Sequence, residues 1–122
     1  AATSRSLLSL GAAHLALFTD SGEGGEAGFA PFTDGRGTWF CSRGEDGALK
    51  VTATTLDFTA ATAETKAGIG RLDFDLAASP DRQTLSGTGT LYLIPLDGDP
   101  LDQASLKDGR AFEVTGRRLV SR

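Results

Sequence analysis

The chain has 122 residues, enough for one domain with its own core, and its 39% apolar and 23% charged residues are typical of a folded globular protein. The net charge of −4 argues against nucleic acid as a partner, because nucleic acids are bound through clustered Lys and Arg. Sixteen glycines and no methionine favour strands and turns over long helices, so we expect an all-β protein.

The N-terminal segment, residues 1–12, contains the run SRSLLSLGA, for which we expect a short helix that ends near Gly11. The apolar stretch 7–18 resembles the hydrophobic region of a signal peptide, but a small-x-small cleavage site does not follow it. It is also far too short to cross a bilayer, so no membrane span is expected.

The rest of the chain, residues 13–122, is expected to form a single β-barrel domain. Apolar residues recur in it with a period of two, which is typical of half-buried strands, and turns rich in Gly and Asp separate them. The predicted strands cover residues 13–19, 35–42, 48–60, 69–78, 83–95 and 109–120. Few, long strands favour a barrel over a sandwich, which usually has more and shorter ones.

The strand predicted at 48–60 changes parity half-way. Its first apolar residues are odd-numbered, whereas its last two, Leu56 and Phe58, are even-numbered. A β-bulge near 54–55 would bring both sets to one face and leave Asp57 on the other. Without a bulge, Asp57 joins the apolar face, where desolvation would raise the pKa of its carboxyl and make it a candidate acid or base.

The stretch GRLDFDLA, residues 70–77, shows which face of the sheet is expected inside. Arg71, Asp73 and Asp75 alternate with apolar residues. Burying this charged face would cost roughly several kcal/mol for each unpaired ion and would leave the outside of the protein apolar. We therefore expect the apolar faces to form the interior and the charged ladder to lie in solvent, beside charged partners on neighbouring strands.

Three glycines, Gly87, Gly89 and Gly116, fall on the expected inner face among large apolar side chains. Glycine inside a strand marks a bend, a close approach or empty space, so these positions are either barrel corners or the walls of a cavity. An apolar cavity with few polar groups is typical of a small-molecule site. The expected ligand-binding residues are Trp39, Phe58, Phe74, Leu76, Gly89, Leu91, Leu93 and Phe112.

Two polar residues are candidates for catalysis in such a cavity. One is Asp57, and the other is Tyr92, the only tyrosine, near the bend before Pro95. A phenol at a pocket mouth can donate a hydrogen bond to a substrate oxygen. Because the chain has only one His and one Cys, we expect neither a metal site nor a cofactor.

Two short motifs point to a known family. The sequence GTW at 37–39 has the form G-x-W, and GRR at 116–118 ends the last predicted strand. This pair resembles the lipocalin signature, in which a strand Trp packs beneath an Arg of the last strand. The wider layout of 35–119 (GTW, LDF, GRLDFDLAASPDRQTLSGTGTLYL, GRAFEVTGRRL) is similar to small bacterial barrels related to lipocalins and allene oxide cyclase.

The resemblance implies a lipocalin-like (calycin-type) antiparallel barrel for an apolar ligand and, in some relatives, a cofactor-free cyclisation or isomerisation. The pattern departs from lipocalins at one point: their G-x-W lies on the first strand, whereas a predicted strand at 13–19 precedes it here.

The sequence thus leaves three functions open. The protein is a cofactor-independent cyclase or isomerase that orients a flexible substrate, a non-catalytic carrier of an apolar molecule, or a filled barrel that serves as an interaction module. A polar group in the cavity favours the enzyme, and an unpaired edge strand favours the module. The strand count is low for a closed barrel, so we also expect a homodimer. The lone Cys41 indicates the cytoplasm, or secretion if a leader has been removed.

Overall fold

The computed structural model describes residues 4–25 and 29–119, and these form one antiparallel sheet of seven strands. Each strand pairs with the next along the chain, so the spatial order runs from β1 to β7. The strands are β1 Ser6–Leu10, β2 Leu15–Asp20, β3 Gly35–Arg43, β4 Leu49–Thr59, β5 Gly68–Ala78, β6 Thr84–Pro95 and β7 Arg110–Arg117. Two single turns of 3₁₀ helix, Ala12–His14 and Gln103–Ser105, interrupt the connections. In the described residues, no helix has the length and apolar character needed to cross a membrane.

Strands β2 to β7 lie where the period-two pattern predicts them, but the short helix expected near the N-terminus is wrong. Residues 6–10 form strand β1, which pairs with β2 from Ser6 opposite Asp20 to Leu10 opposite Ala16. Pairing with a neighbouring strand satisfies the backbone groups that a helix would have satisfied internally. Gly11 therefore ends a strand, and its N–H donates to the Leu15 carbonyl at 2.7 Å.

The sheet curls into a half-barrel. The rings of Phe18 on β2 and Phe74 on β5 have centroids 5.4 Å apart, although β3 and β4 lie between them. Three strand spacings in a flat sheet would separate these residues by about 14 Å. Phe74 also meets Phe112 of β7 edge-to-face across β6, at 6.5 Å. These aromatic residues therefore line the inner face of the curl.

The inner face carries the hydrophobic core, as the sequence predicts. Its buried members are Ala16, Phe18, Val51, Ala53, Leu72, Phe74 and Leu76. The inward glycines have three different surroundings. A Cβ at Gly89 would collide with the Phe112 ring, a Cβ at Gly87 would collide with the Asp75 carbonyl, and a Cβ at Gly116 would meet open space. At Gly89 and Gly87, neighbouring atoms therefore approach the backbone closely, and these two glycines do not line an empty cavity.

The charged ladder of β5 lies on the outer face, but it is bonded into the fold rather than fully solvated. Arg71 Nε lies 3.0 Å from Asp73 Oδ1, and Arg71 also donates to the Pro100 carbonyl at 2.8 Å. Asp73 accepts a second hydrogen bond from the Thr54 hydroxyl, at 2.8 Å. Arg71 thus connects the loop after β6 to the sheet. Of the three charged residues Arg71, Asp73 and Asp75, only Asp75 is exposed.

Candidate functional site

Asp57 lies on the inner face because β4 contains no bulge. The register of β4 against β5 is unbroken from Lys50 opposite Ala77 to Thr59 opposite Gly68. Regular alternation therefore places the buried residues Val51, Ala53, Thr55 and Asp57 on one side of the strand. Of the two alternatives that the sequence left open, the structure has the one in which Asp57 joins the apolar face, with only 4% of the residue exposed.

The carboxyl of Asp57 is packed against the backbone of β5. It faces Gly70, where an added Cβ would collide with its oxygen atoms, so a larger residue at this position would displace the carboxyl. The Gly70 N–H hydrogen-bonds the carboxyl, but Asp57 Oδ1 has no hydrogen-bond partner among the described residues. The hydroxyl of Thr55, which is fully buried on the same face, also has no partner there.

Burial raises the pKa of the Asp57 carboxyl from 3.8 to about 6. The negative charge of Glu23 adds to this rise, whereas the hydrogen bond from Gly70 opposes it. A carboxyl with a pKa of about 6 exchanges protons readily near neutral pH, where an ordinary carboxyl is fully ionised. The site therefore contains a group that is suited to general acid–base chemistry.

The charge of Glu23 acts on Asp57, and the charges of Asp20 and Asp34 act in turn on Glu23. We call these four residues the acidic end. Glu23 Oε2 accepts a hydrogen bond from the Asp20 N–H at 2.8 Å. The Asp20 N–H lowers the pKa of Glu23, but desolvation and the neighbouring carboxyls of Asp34 and Asp20 raise it more.

Sequence patterns missed the acidic end because long-range pairing in the loops builds it. The segment before β3 folds back onto β4, where Phe32 bridges to Thr59. The Phe32 N–H donates to the Glu23 carbonyl at 2.9 Å and so brings the loop after β2 to the same place. Within residues 4–25 and 29–119, no group of three or more His, Cys, Asp or Glu is arranged to hold a metal ion.

Most of the expected ligand-binding residues lie on the inner face, at different depths. These are Trp39, Phe74, Leu76, Gly89, Leu91, Leu93 and Phe112. Phe74 and Leu76 are buried in the core, whereas Leu93 is 54% exposed and Phe112 is 40% exposed. Leu93 pairs with Gly70, so Asp57, Gly70 and Leu93 lie side by side in one row across three strands. Exposed apolar surface and a buried carboxyl thus lie in one row at this end, with a glycine between them.

Two predicted site residues lie on the outer face instead. Phe58 alternates with Asp57 on an unbulged strand, so it points outward and is 61% exposed. Tyr92 pairs with Arg71 on the outer face, and its ring packs against the backbone of Gly109. Phe58 instead lines a pocket of about 290 Å³ on the outside, whose other residues are Pro31, Phe32, Thr33, Thr59 and Ala60.

The G-x-W motif lies on β3, and the contacts of its Trp differ from those of the lipocalin signature. Trp39 Nε1 donates to the Gly11 carbonyl at 2.8 Å, and the Trp39 carbonyl lies 2.9 Å from His14 Nδ1. The cation–π contact within the described residues joins Arg110, at the start of β7, to Phe29, at 5.8 Å. It does not involve Trp39. Residues 12–14 therefore cover Trp39 in this structure.

No protein-family model, curated protein or solved structure matches this chain. Its chemistry must therefore be inferred from the inner face itself. That face offers apolar surface at Leu93 and Phe112, and the buried carboxyl of Asp57 lies in the same row as Leu93. Such a combination can bind an organic molecule and exchange a proton with it.

Proposed function

We propose that the protein binds a small, largely apolar organic molecule on the inner face of its half-barrel. The observation that supports this most directly is the row formed by Asp57, Gly70 and Leu93, in which only a glycine separates a buried carboxyl from an apolar side chain that is 54% exposed. Small-molecule sites are mostly apolar, with a few polar groups that orient the ligand. A lipocalin-like (calycin-type) relationship is part of this proposal, and the sequential strand order and the GTW motif on β3 support it.

In its sharper form, the proposal is a cofactor-independent isomerase or cyclase. A carrier needs only apolar contacts, whereas this face also contains a carboxyl with a pKa of about 6, one oxygen of which has no hydrogen-bond partner in the described part of the chain. Asp57 would take a proton from one position of the bound molecule and return it to another. The apolar wall would hold the substrate in the reactive conformation, and this orientation lowers the barrier by itself. A carrier with the same inner face is the alternative.

The test of binding is a titration with the neutral dye Nile red, followed by dye fluorescence and by the emission of Trp39. Leu93 and Phe58 are matched for this purpose, since both are exposed apolar residues and they lie on opposite faces of the sheet. We expect Leu93→Gln to weaken binding roughly tenfold, because it removes about 1.5 kcal/mol of apolar contact. Phe58→Gln should leave binding unchanged.

Two results would contradict this proposal. A folded protein that gives no saturable response has no apolar site, and a larger effect of Phe58→Gln places the dye in the outer pocket. If inner-face binding is found, turnover is measured by mass spectrometry with a panel of terpene-like and polyketide-like compounds. Turnover of any compound identifies the enzyme rather than the carrier, and loss of that turnover in Asp57→Asn assigns the proton transfer to Asp57.

A second candidate function is an interaction module that forms homodimers, and one observation favours it. Strands β1 and β7 are the two edges of the described sheet, and their burial patterns contain no fully buried residue. Open edges present unpaired backbone groups to another strand, and a second copy of this chain is the partner that we propose for this case.

A further inference from the structure

Four exposed apolar side chains lie on the outer face of β1, β2 and β3, and we call them the outer patch: Leu7, Leu15, Leu17 and Phe40. Each of them is between 39% and 63% exposed. Leu15 and Leu17 lie two residues apart on β2. The strand register places Leu7 diagonally beside Leu17 and Phe40 diagonally beside Leu15, so the patch is continuous across three strands.

Strand β2 is apolar on both faces where it carries the outer patch. Residues 15–18 have the sequence LALF, in which Ala16 and Phe18 are buried in the core and Leu15 and Leu17 point outward. Such a continuous apolar run is typical of a strand that is covered on both faces, whereas a strand with one solvated face alternates. Continuous exposed apolar surface marks a site for another protein or for a membrane, so we expect a partner to cover the outer patch.

The charge around the outer patch favours an anionic partner. The outward positions of β1 to β4 contain two cations, Arg36 and Lys50, and no Asp or Glu. Neither cation forms a salt bridge within the described part of the chain. Arg36 lies in the row that joins Leu17 on β2 to Leu56 on β4, so one of the two positive charges is beside the patch itself.

The net charge of −4 is compatible with an anionic partner, because the charges are unevenly placed. The outward carboxyls of the strands, Asp73, Asp75 and Glu113, lie on β5 and β7. Strand β5 is three strand spacings, about 14 Å, from β2. Charges are largely screened beyond about 10 Å at about 0.1 M salt, so a surface in contact with the patch interacts mainly with Arg36 and Lys50.

Two features favour a lipid surface over a second protein. In a symmetric face-to-face dimer, Arg36 and Lys50 of one copy would meet the same cations of the other, and like charges repel. The curl of the sheet also makes the outer face convex, so the patch protrudes and does not form a groove for the anchor residues of a protein. A bilayer interface needs no groove, because exposed Leu and Phe side chains enter it while neighbouring cations attract anionic headgroups.

We propose that the outer patch, together with Arg36 and Lys50, attaches the protein to an anionic lipid bilayer from one side. The four apolar side chains enter the headgroup region, and the two cations lie beside the anionic headgroups. The inner face is on the opposite side of the sheet and stays accessible in this arrangement. The inference therefore goes beyond the proposed function and does not depend on it.

The experiment is co-sedimentation of the protein with vesicles at pH 7.4. One set of vesicles contains phosphatidylcholine alone, and the other contains phosphatidylcholine and phosphatidylglycerol in equal parts. We expect the protein to bind the mixed vesicles at least about tenfold more tightly, because two basic residues near an anionic surface raise affinity by about that factor. Raising the NaCl concentration to about 0.5 M should remove most of this preference, since salt screens the charges.

Variants connect binding to the outer patch. Leu15→Gln and Phe40→Gln should each weaken binding to the mixed vesicles roughly fivefold, because each removes an exposed apolar side chain. Arg36→Gln should reduce the preference for mixed vesicles roughly fivefold and leave binding to phosphatidylcholine unchanged. The matched controls are Leu93→Gln, a similarly exposed Leu on the inner face, and Arg117→Gln, an exposed Arg on β7. Both should bind vesicles like the wild type.

The outcomes are distinct from those of the dye titration, since the two measurements concern opposite faces of the sheet. Vesicle binding that Leu15→Gln and Phe40→Gln weaken and Leu93→Gln preserves supports the inference, whatever the result with Nile red. A folded protein that does not bind mixed vesicles overturns it, and so does binding that survives both patch variants. Dimers in analytical ultracentrifugation that the patch variants dissociate would also overturn it, because a second copy would then cover the patch.

Discussion

At the scale of single residues, Asp57 should make the stability of the protein depend on pH in an unusual direction. Its pKa is raised by burial, so the folded state keeps this proton up to about pH 6, whereas the unfolded state loses it near pH 3.8. The folded state therefore binds more protons between these values, and the free energy of unfolding falls as pH rises through this window. The loss is at most about 3 kcal/mol and is complete above pH 7.

This dependence is measured by urea unfolding of wild type and Asp57→Asn at pH 4 and pH 7.5. Asn cannot ionise, so the variant should lose less stability between the two values and should be the more stable protein at pH 7.5. Glu23, whose pKa is also raised, contributes in the same direction in both proteins, and because its charge and that of Asp57 repel each other, its contribution is not larger in the variant. The same pH dependence in wild type and variant would show that Asp57 is not desolvated.

At the scale of strands, the inner glycines of β6 and β7 should respond differently to an added methyl group. Gly89 lies beneath the Phe112 ring, so Gly89→Ala should push that ring aside and cost roughly 1–3 kcal/mol of stability. Gly116, opposite Leu85 on the same face, meets open space, and Gly116→Ala should be neutral or stabilising by up to about 1 kcal/mol. Thermal unfolding of the two variants tests the difference, and equal effects would place Phe112 elsewhere.

The strands also show how much of the fold can be predicted from the alternation of apolar and polar residues. Alternation predicted β2 to β7 because half-buried strands carry that pattern in their own residues. It could not decide the faces of β4, because Thr55 and Asp57 occupy inward positions that a core would give to apolar residues. The candidate site is thus the place where the hydrophobic pattern fails. The approach of Glu23 and Asp34 to Asp57 depends on the pairing of Phe32 with Thr59, which no local pattern encodes.

At the scale of the whole molecule, the half-barrel should be most stable along its centre and least stable at its edges. Strands β4 and β5 together carry nine buried residues on the inner face, at alternate positions from Val51 to Asp57 and from Gly68 to Leu76, whereas β1 and β7 carry none. Amide exchange follows local opening, which is easier where little apolar surface is buried. Hydrogen–deuterium exchange should therefore be slowest in β4 and β5 and fastest in β1 and β7.

The same measurement separates a monomeric binding protein from a dimerisation module, because the two functions use the sheet edges differently. If the half-barrel acts alone, exchange in β1 and β7 should be fast and independent of protein concentration. If a second copy pairs with an edge, exchange in that strand should slow as concentration rises, since association adds hydrogen bonds to it. Edge strands that exchange as slowly as β5 at every concentration would contradict an open half-barrel, because such protection requires partners along both edges.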